Sequence, residues 1–283
     1  MPLDEFITSN EKDIRLAFFL GIFALVAIWE LIAPRRKPAV SKVLRWTNNM
    51  GLVFFNTFIL RLLFPAAAVG MTVFVNQQGW GIFNYYQLPL AITLLASIIA
   101  MDFIIYLQHV LVHAVPVLWR LHRVHHADPD YDVTTGARFH TIEIIVSMFI
   151  KFATIIVLGP PVIAVIIFEV TLNAMAMFNH GNIKLPLGLD KILRLLIVTP
   201  DMHRVHHSIE DDEANCNFGF NLSCWDRLFG TYRDQPRAGH ENMVIGIHKY
   251  NDPKQVSWIH GMLALPFIGK VTDYTINRRD WNK

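Results

Sequence analysis

Residues 88–126 read LPLAITLLASIIAMDFIIYLQHVLVHAVPVLWRLHRVHH, and this stretch decides the fold. Its first part, residues 88–107, carries a single charge, at Asp102. A helix needs about 20 such residues to cross the hydrocarbon core of a bilayer. Histidines begin at His109, directly after the run, and none precedes it. The stretch therefore predicts a spanning helix that leads into a histidine-rich region at one membrane surface.

Two similar runs come earlier in the chain, at residues 16–33 and 51–75. Each carries one charge, Glu30 in the first run and Arg61 in the second. The acidic residues before the first run, with Pro34 and a basic stretch after it, are not those of a cleavable signal peptide. The three runs together predict three spanning helices.

Composition supports a membrane protein and excludes other classes. The chain of 283 residues is 53% hydrophobic and 17% charged, whereas a soluble domain has about 25% charged residues. A formal net charge of +2 and the absence of a basic block argue against nucleic-acid binding. Two cysteines, Cys216 and Cys224, exclude a disulfide framework.

The short connectors predict the orientation. The connector between the first two runs contains five basic residues and no acidic one: Arg35, Arg36, Lys37, Lys42 and Arg45. Residues 76–87, between the second and third runs, carry no formal charge. By the positive-inside rule the first connector is cytoplasmic, so the third helix also ends in the cytoplasm.

A fourth apolar stretch, residues 144–178, is broken by Gly159, Pro160 and Pro161. Each arm has about 15 to 17 residues, which favours a hairpin entering and leaving on the cytoplasmic side, with two full spans as the alternative. In both cases residues 144–178 cross or enter the membrane and return, so the residues before and after this stretch lie on the same side. Lys151 and Glu169, within the arms, are expected to be buried partners or interfacial anchors.

The predicted fold class is all-α. It is a multi-pass membrane bundle of three spanning helices plus the hairpin, with a cytoplasmic histidine-rich helical cap. We expect one integrated domain with three parts: N-terminal transmembrane helices (1–107), a catalytic region (108–233) and a C-terminal cytoplasmic or interfacial segment (234–283). An amphipathic surface helix is predicted at 185–198, and residues 258–268 are apolar but too short to span.

Eight of the thirteen histidines form three boxes: HxxxH at 109–113, HxxHH at 122–126 and HxxHH at 203–207. Residues at i, i+3 and i+4 share one face of a helix, so each box directs its imidazoles one way. At this histidine content an HxxHH pattern arises by chance about once in 10⁴ positions. Eight imidazoles exceed the coordination of one ion, so the boxes predict two neighbouring metal ions.

The ligand type narrows the metal chemistry. HExxH and Glu-x-x-His pairs are absent, which argues against a zinc protease and a carboxylate-bridged di-iron bundle. A membrane-bound dinuclear site of imidazoles points to iron that activates O2 against lipid C–H bonds. Two alternatives stay open: a membrane metal transporter or storage protein, and a zinc-dependent membrane hydrolase.

Other segments complete a resemblance. RFHTIE at 138–143, FNHGN at 178–182, TPDMH at 199–203 and WDRLFGTY at 225–232 accompany the boxes. Over about residues 92–233 the chain resembles the fatty acid hydroxylase superfamily, also called the sterol desaturase family. The resemblance implies a di-iron centre, O2 as co-substrate and a lipid that is hydroxylated or desaturated. It implies nine ligands: His109, His113, His122, His125, His126, His180, His203, His206 and His207. Ala176 stands where some relatives carry a tenth.

Four further residues are expected to support the ligands. His140 matches a family position followed here by Thr141, and we expect it to orient a ligand, with ligation and a structural role as alternatives. Glu143 is placed to accept a hydrogen bond from an imidazole N–H. Asp102, seven residues before His109, could do the same or anchor the bundle. Asn182 is a candidate amide partner.

Other residues near the boxes receive less specific expectations. Phe139 and Phe178 flank histidines and are candidate walls for the reacting carbon, or ordinary core. Asp201 is expected to be a helix N-cap. The closing residues 225–227 are expected to lock the fold. Three histidines lack box spacing and are not expected to be ligands: His240, His248 and His260.

The expected partners are a membrane lipid and a separate electron donor. No haem, ferredoxin or dinucleotide-binding motif occurs in the chain, so electrons would come from a cytochrome b5-like protein or a ferredoxin and its reductase. Arg120, Arg123 and Arg204 mark a possible docking face or ordinary positive-inside charge. Sterol, fatty acyl chain, carotenoid and alkylglycerol ether are all open as substrates. The reaction is open among hydroxylation, desaturation and ether cleavage. The oligomeric state is also open, as is the location in a bacterial inner membrane or the endoplasmic reticulum.

Overall fold

The computed structural model describes residues 3–250 and 252–269, and these residues form helices joined by turns. The end of the predicted C-terminal part, residues 270–283, lies outside the described residues. In chain order the helices are α1 Leu3–Ser9, α2 Glu11–Ile32, α3 Lys42–Leu63, α4 Ala67–Gln77, α5 Ile82–Tyr86, α6 Leu90–Ala114, α7 Pro116–His126, α8 Thr141–Leu158, α9 Val162–Asn179, α10 Leu187–Leu193, α11 Pro200–His206, α12 Asp211–Ala214, α13 Cys224–Leu228, α14 Gly239–Asn242, α15 Pro253–Val256 and α16 Ile259–Ala264.

Five helical segments of the described chain are long and apolar enough to cross a membrane. They are Glu11–Ile32, Lys42–Tyr86, Leu90–Ala114, Thr141–Leu158 and Val162–Asn179. The prediction of an all-α, multi-pass membrane bundle is thereby confirmed.

The second predicted span, 51–75, is not one continuous helix. It starts within α3, which begins at Lys42, and α3 ends at Leu63. α4 resumes at Ala67. Pro65 lies in the break, where its ring and missing N–H are incompatible with a continuous helix. The extra N-terminal turns of α3 pack beside the histidine region, where Arg45 and Asn49 are fully buried.

The two arms of the predicted hairpin, α8 and α9, are each 18 residues long, slightly longer than expected. Their turn reaches the loop between α4 and α6, because Asn76 donates a hydrogen bond to the Pro160 carbonyl. Gly159 has a φ of +61°, and a Cβ built there would lie 2.4 Å from the Trp80 carbonyl oxygen. The arms thus extend as far as their neighbours, which favours the alternative of two full spans.

Lys151 and Glu169 form an ion pair with each other, which is the first of the two roles expected for them. Lys151 Nζ lies 2.5 Å from Glu169 Oε1, and Arg15 of α2 lies 2.9 Å from the other carboxylate oxygen. The ion pairs connect α2, α8 and α9 inside the bundle.

The opposite end of the bundle collects the segments that follow α2, α7 and α9. The Glu30 carboxylate accepts hydrogen bonds from the Val133 and Asn182 amides, at 2.6 and 2.9 Å. The Lys184 amide donates to the Ala33 carbonyl. The first connector and the histidine boxes therefore lie on one side, as an even number of passes requires. That this side is cytoplasmic stays a prediction.

A buried ion network joins α3 to the loop after α7. Arg45 lies 2.6 Å from Asp128 and 2.5 Å from Asp132, and all three side chains are buried. Burial raises the pKa of Asp128, but Arg45 and Arg138 outweigh it and lower the pKa to about 2. The network fixes the loop that carries the chain from the second histidine box to α8.

Two short segments differ from their predictions. The amphipathic helix expected at 185–198 is the shorter α10, after which Ile197 pairs with Leu222. The segment 258–268 packs on the protein more than expected, since Met262 and Leu265 are buried against Leu52 and Trp119. Trp258 and Phe267 remain exposed.

Candidate metal centre

Four helix ends place nine histidines at one point. The last turns of α6 carry His109 and His113, and α7 carries its three histidines on buried positions. His180 ends α9, and α11 carries the third box with His207 at its end. None of the nine side chains is more than 6% exposed. The nine are the residues that the sequence and its family resemblance predicted.

The nine imidazoles form two groups. The five-histidine group contains His109, His113, His122, His126 and His206. The four-histidine group contains His125, His180, His203 and His207. Within each group the candidate ligand nitrogens lie within 4.8 Å of one another. The groups adjoin, since the rings of His126 and His207 stack with centroids 4.6 Å apart.

Acceptors outside the groups orient most of the rings. In the five-histidine group, Nδ1 of His109 contacts the Phe218 carbonyl and Nδ1 of His206 contacts the Cys216 carbonyl, both at 2.8 Å. In the four-histidine group, His180 Nδ1 lies 2.7 Å from the Ala176 carbonyl. A carbonyl only accepts, so each Nδ1 carries the proton and each Nε2 keeps its lone pair.

The inward nitrogens fit a metal ion. His125 Nδ1 contacts the Arg138 carbonyl, so its Nε2 is also a lone pair, yet it lies 3.1 Å from Nε2 of His180. Two lone pairs cannot share a hydrogen bond, whereas a cation between them would be attracted to both. Nε2 of His109 and of His206 is buried without a hydrogen-bond partner among the described residues. The donors thus suit transition-metal ions.

The electrostatic surroundings keep these imidazoles neutral. Burial, with smaller effects from neighbouring histidines, lowers the pKa of His126, His203 and His207 well below the usual value. Burial also lowers the pKa of His180 and of His206 to about 3. Neutral imidazole is the form that binds metal.

The lowered pKa values predict how the metal-free protein responds to acid. Unfolded imidazoles titrate near 6.5, so the unfolded chain takes up protons before His180 and His206 do in the folded chain. Their contribution to stability is present above pH 6.5 and is lost as the pH falls toward about 3. We expect the unfolding temperature of chelator-treated protein to fall between pH 7 and 5. A constant or rising unfolding temperature would contradict this expectation.

Glu143 is hydrogen-bonded to a histidine of the second box. Its Oε1 lies 2.6 Å from His122 Nδ1, and both side chains are buried. Carboxylate acceptors of this kind fix the ring of a metal ligand and raise its basicity.

Glutamine at Glu143 is expected to weaken metal binding in the five-histidine group by about 10- to 100-fold, because a neutral amide is the poorer acceptor. Competition with a chelator measures this affinity, and the four-histidine group serves as an internal reference. Glu210→Gln is the matched control, since Glu210 is exposed. Equal affinity in the two variants would contradict the assigned role.

His140 and Asp102 take the structural roles that were expected as alternatives. His140 is the N-cap of α8, where its Nδ1 accepts from the Ile142 amide and its Nε2 contacts the Leu263 carbonyl. It therefore serves the structure, the last of its three expected roles. Asp102 accepts from the Trp225 indole and the Leu222 amide rather than from His109, so it anchors the bundle.

Asn182 supports the connector rather than a histidine. Its side chain exchanges hydrogen bonds with the backbone of Arg36, at 3.0 and 2.8 Å. Asp201, the expected N-cap, instead pairs with Arg35 and Arg204, while the Thr199 side chain caps α11.

The segment WDRLFGTY gains a specific role. Asp226 accepts hydrogen bonds from the Phe218 and Gly219 amides, both at 2.7 Å, and from the Thr231 hydroxyl. These bonds fix the loop whose Cys216 and Phe218 carbonyls orient His206 and His109. The sequence could not show this role, because the groups that accept from His206 and His109 are backbone carbonyls, which every residue has.

Two aromatic rings contact both histidine groups. Phe139 stacks on His125 with centroids 4.5 Å apart and lies 6.2 Å from His122. Phe220 lies 6.4 Å from His109 and 6.3 Å from His203. Both rings are partly exposed. Phe139 was a candidate wall, and Phe220 was not foreseen.

Phe178, the other candidate wall, packs elsewhere. It joins the cluster of Val26, Ala27 and Ile183 beside α2. It is the residue before Asn179 at the end of α9, and the helix turns it away from the histidines. Phe178 therefore belongs to the core.

Two of the three arginines considered as a docking face are buried, and Arg120 is partly exposed. Arg123 is 2% exposed and donates to the Leu265 and Ile268 carbonyls. Arg204 is fully buried beside Asp201. Arg120 donates to the Pro266 carbonyl. These arginines tie the C-terminal segment and α11 to the protein.

Comparison with known proteins identifies lipid hydroxylases and monooxygenases as relatives. The family model for fatty acid hydroxylase matches residues 94–231, which contain all nine histidines. The ornithine lipid hydroxylase OlsE of Rhizobium tropici is 28% identical over 251 residues, covering 83% of this chain and 72% of the relative.

Two animal enzymes match over shorter regions. The human alkylglycerol monooxygenase is 29% identical over 64% of this chain and 40% of its own length. The human cholesterol 25-hydroxylase is 25% identical over 50% of this chain and 51% of its own length. The chain thus spans about half or less of the length of these two relatives. No solved structure matches.

Proposed function

Because this chain belongs to the fatty acid hydroxylase superfamily, we propose that it is a membrane-bound oxygenase that uses O2 and external electrons to oxidise a lipid. One observation carries the proposal: two adjoining groups of buried imidazoles lie where spanning helices end. A pair of iron ions held there supplies the activation of O2 for attack on an unactivated C–H bond.

We propose that the nine histidines are the iron ligands, five for one ion and four for the other. Iron takes up to six ligands, so neither group would by itself fill the coordination of an ion. The group with four histidines would supply fewer ligands, and Ala176 contributes only its backbone carbonyl, which His180 contacts. Glu143 and the four carbonyl acceptors hold the rings in place.

The substrate we propose is a membrane lipid with a long alkyl or acyl chain. The relatives are named as hydroxylases or monooxygenases of ornithine lipid, alkylglycerol and cholesterol, which favours hydroxylation over desaturation. The partly exposed rings of Phe139 and Phe220 would hold the reacting carbon beside both groups and exclude water from it. The Ser147 hydroxyl of α8 donates a hydrogen bond to the Gln108 side chain of α6 at 3.3 Å. This pair would place polar groups next to His109, where they could contact a polar part of the substrate.

The electrons would come from a separate protein on the cytoplasmic side. Conversion of a C–H bond to an alcohol by O2 consumes two electrons and two protons and releases one water. The cytoplasmic orientation rests on the basic first connector, which lies on the same side as the histidines.

The two alternative functions fit the geometry less well. A transporter places its ligands along a path near the bilayer midplane, whereas these ligands gather beyond the ends of the helices. A hydrolase needs a general base beside an open metal position, and Glu143 is already engaged by His122.

Lipid profiling under ¹⁸O2 tests the proposal. Membranes with the wild type and its electron donor are expected to contain a lipid with one added ¹⁸O atom. Membranes with His125→Ala should lack that lipid, and His260→Ala, at an exposed site, should retain it. Unchanged lipids in expressed, reduced wild type would overturn the oxygenase proposal.

A further inference from the structure

An apolar surface lies outside the five spanning segments, next to the metal centre. Seven large apolar side chains form it, each between 45% and 69% exposed: Leu187, Leu189, Ile192, Leu195, Leu196, Leu228 and Phe229. We call this set the interfacial surface. Water would penalise such a concentration of exposed apolar side chains, so it requires an apolar partner.

In this region the apolar side chains face outward and the polar ones face the protein, which is the opposite of a surface helix in a soluble domain. The polar groups point inward: Arg194 is buried, pairs with Asp190 and Asp234, and its carbonyl accepts from Ser223 and Arg227. These bonds hold α10 to α13. The apolar side chains are left on the outside, which is the arrangement that a lipid environment stabilises.

The interfacial surface continues the lipid-facing surface of the bundle. The ring of Phe229 stacks on Phe103 and Tyr106 of α6, with centroids 5.8 and 5.5 Å away. Phe103 precedes His109 by six residues, about 9 Å along the helix toward the membrane interior. At the other end, Ile183 pairs with Pro34 just after α2. The surface therefore lies at the level where the spanning helices end.

The exposed charges beside the surface are mainly basic. In residues 184–197 and 224–234 the exposed charged side chains are Lys184, Lys191, Arg227 and Asp234. Asp234 is paired with the buried Arg194, and Asp190 and Asp226 are buried. Basic residues next to an inserted apolar face attract anionic headgroups.

We propose that the interfacial surface inserts into the membrane leaflet on the metal-centre side and selects anionic phospholipid there. Its apolar side chains enter the acyl region, and Lys184 and Lys191 contact the headgroups. The Val198 amide donates to the Asn221 carbonyl, which joins this region to the loop carrying Phe220. If the chain oxidises lipid as proposed above, the substrate comes from this leaflet; the insertion itself does not depend on that activity.

Quenching by brominated lipid tests the insertion. An environment-sensitive fluorophore is attached to Ile192→Cys in full-length Cys224→Ser protein, reconstituted with phosphatidylcholine brominated on its acyl chains. We expect quenching as strong as at Leu95→Cys, an exposed position on the spanning helix α6. Asp211→Cys, at the exposed first residue of α12, is the unquenched control. A label at residue 192 that behaves like the label at 211 overturns the proposal.

The headgroup preference is tested with the same label. In an equal mixture of the two lipids, brominated phosphatidylglycerol should occupy the site about fivefold more often than brominated phosphatidylcholine at low salt. Lys184→Gln with Lys191→Gln should remove the preference, and Lys254→Gln, exposed elsewhere, should keep it. Equal occupancy in the wild type overturns the selection of anionic lipid. Neither readout requires turnover, so failure here and failure of the oxygenase proposal are distinguishable.

Discussion

Alanine at either His206 or His207 is expected to abolish lipid oxidation, with a loss of at least about 100-fold. The two residues are neighbours in the chain, yet His206 belongs to the five-histidine group and His207 to the four-histidine group. Each substitution removes a ligand from a different ion, and the proposed chemistry needs both. Even loss of a residue that only supports a ligand typically costs 10- to 100-fold. The measurement is the amount of oxidised lipid formed per mole of protein under saturating O2 and reductant.

A matched control separates metal loss from misfolding. His248 and His260 lie outside both groups, so alanine at either position should leave oxidation unchanged. Helical content by circular dichroism should be equal in all four variants. If one box variant kept most of its activity while the other lost it, the chemistry would need only one of the two ions.

Methionine at Arg45 is expected to cost about 3 to 5 kcal/mol of stability. Arg45 is 1% exposed and lies within 2.6 Å of the carboxylates of Asp128 and Asp132. Removing it leaves buried negative charge without its partner, and that is more costly than the loss of an exposed ion pair. The measurement is unfolding in increasing denaturant, followed by circular dichroism in detergent.

Lys254→Met is the control, because Lys254 is exposed outside the spanning segments. Its effect should be within about 0.5 kcal/mol. Adding Asp128→Asn to Arg45→Met should recover part of the lost stability by removing one unpaired charge. Equal stability of the Arg45 and Lys254 variants would mean that the buried network does not hold the loop after α7.

The histidines could be predicted from sequence because their spacing is a property of single helices. An HxxHH segment places three rings on one face whatever the rest of the chain does. That the three boxes and His180 meet at one point is a tertiary fact, and it came from the family resemblance. Their division into five and four followed from neither, since His125 and His126 are adjacent yet belong to different groups.

The supporting residues were harder to predict, for a physical reason. Helical periodicity places Asp102 on the face of His109. In the structure, however, the Asp102 carboxylate accepts its hydrogen bond from the indole of Trp225, which is distant in the sequence. His109 is oriented instead by the Phe218 carbonyl, and every residue type has a carbonyl. Phe220 was missed because its loop is positioned by Asp226 and Asn179 from other parts of the chain.

Membrane topology was predicted to the extent that hydrophobicity determines it. The apolar runs located the spanning segments, and the Gly-Pro-Pro break located the turn between α8 and α9. Hydrophobicity did not show that α3 extends beyond the membrane to bury Arg45, because this depends on Asp128 and Asp132, far along the chain. Hydrophobicity did not show the break near Pro65 either, although a proline within an apolar run indicates that a helix is interrupted there.

The number of iron ions bound per chain shows whether the histidines hold a pair of metal ions. Full-length protein purified from iron-supplied cells, without chelators, is analysed for metal and for protein by elemental and amino-acid analysis. We expect two iron ions per chain, held by the five- and four-histidine groups. A reproducible value of one or none in folded protein would contradict this expectation.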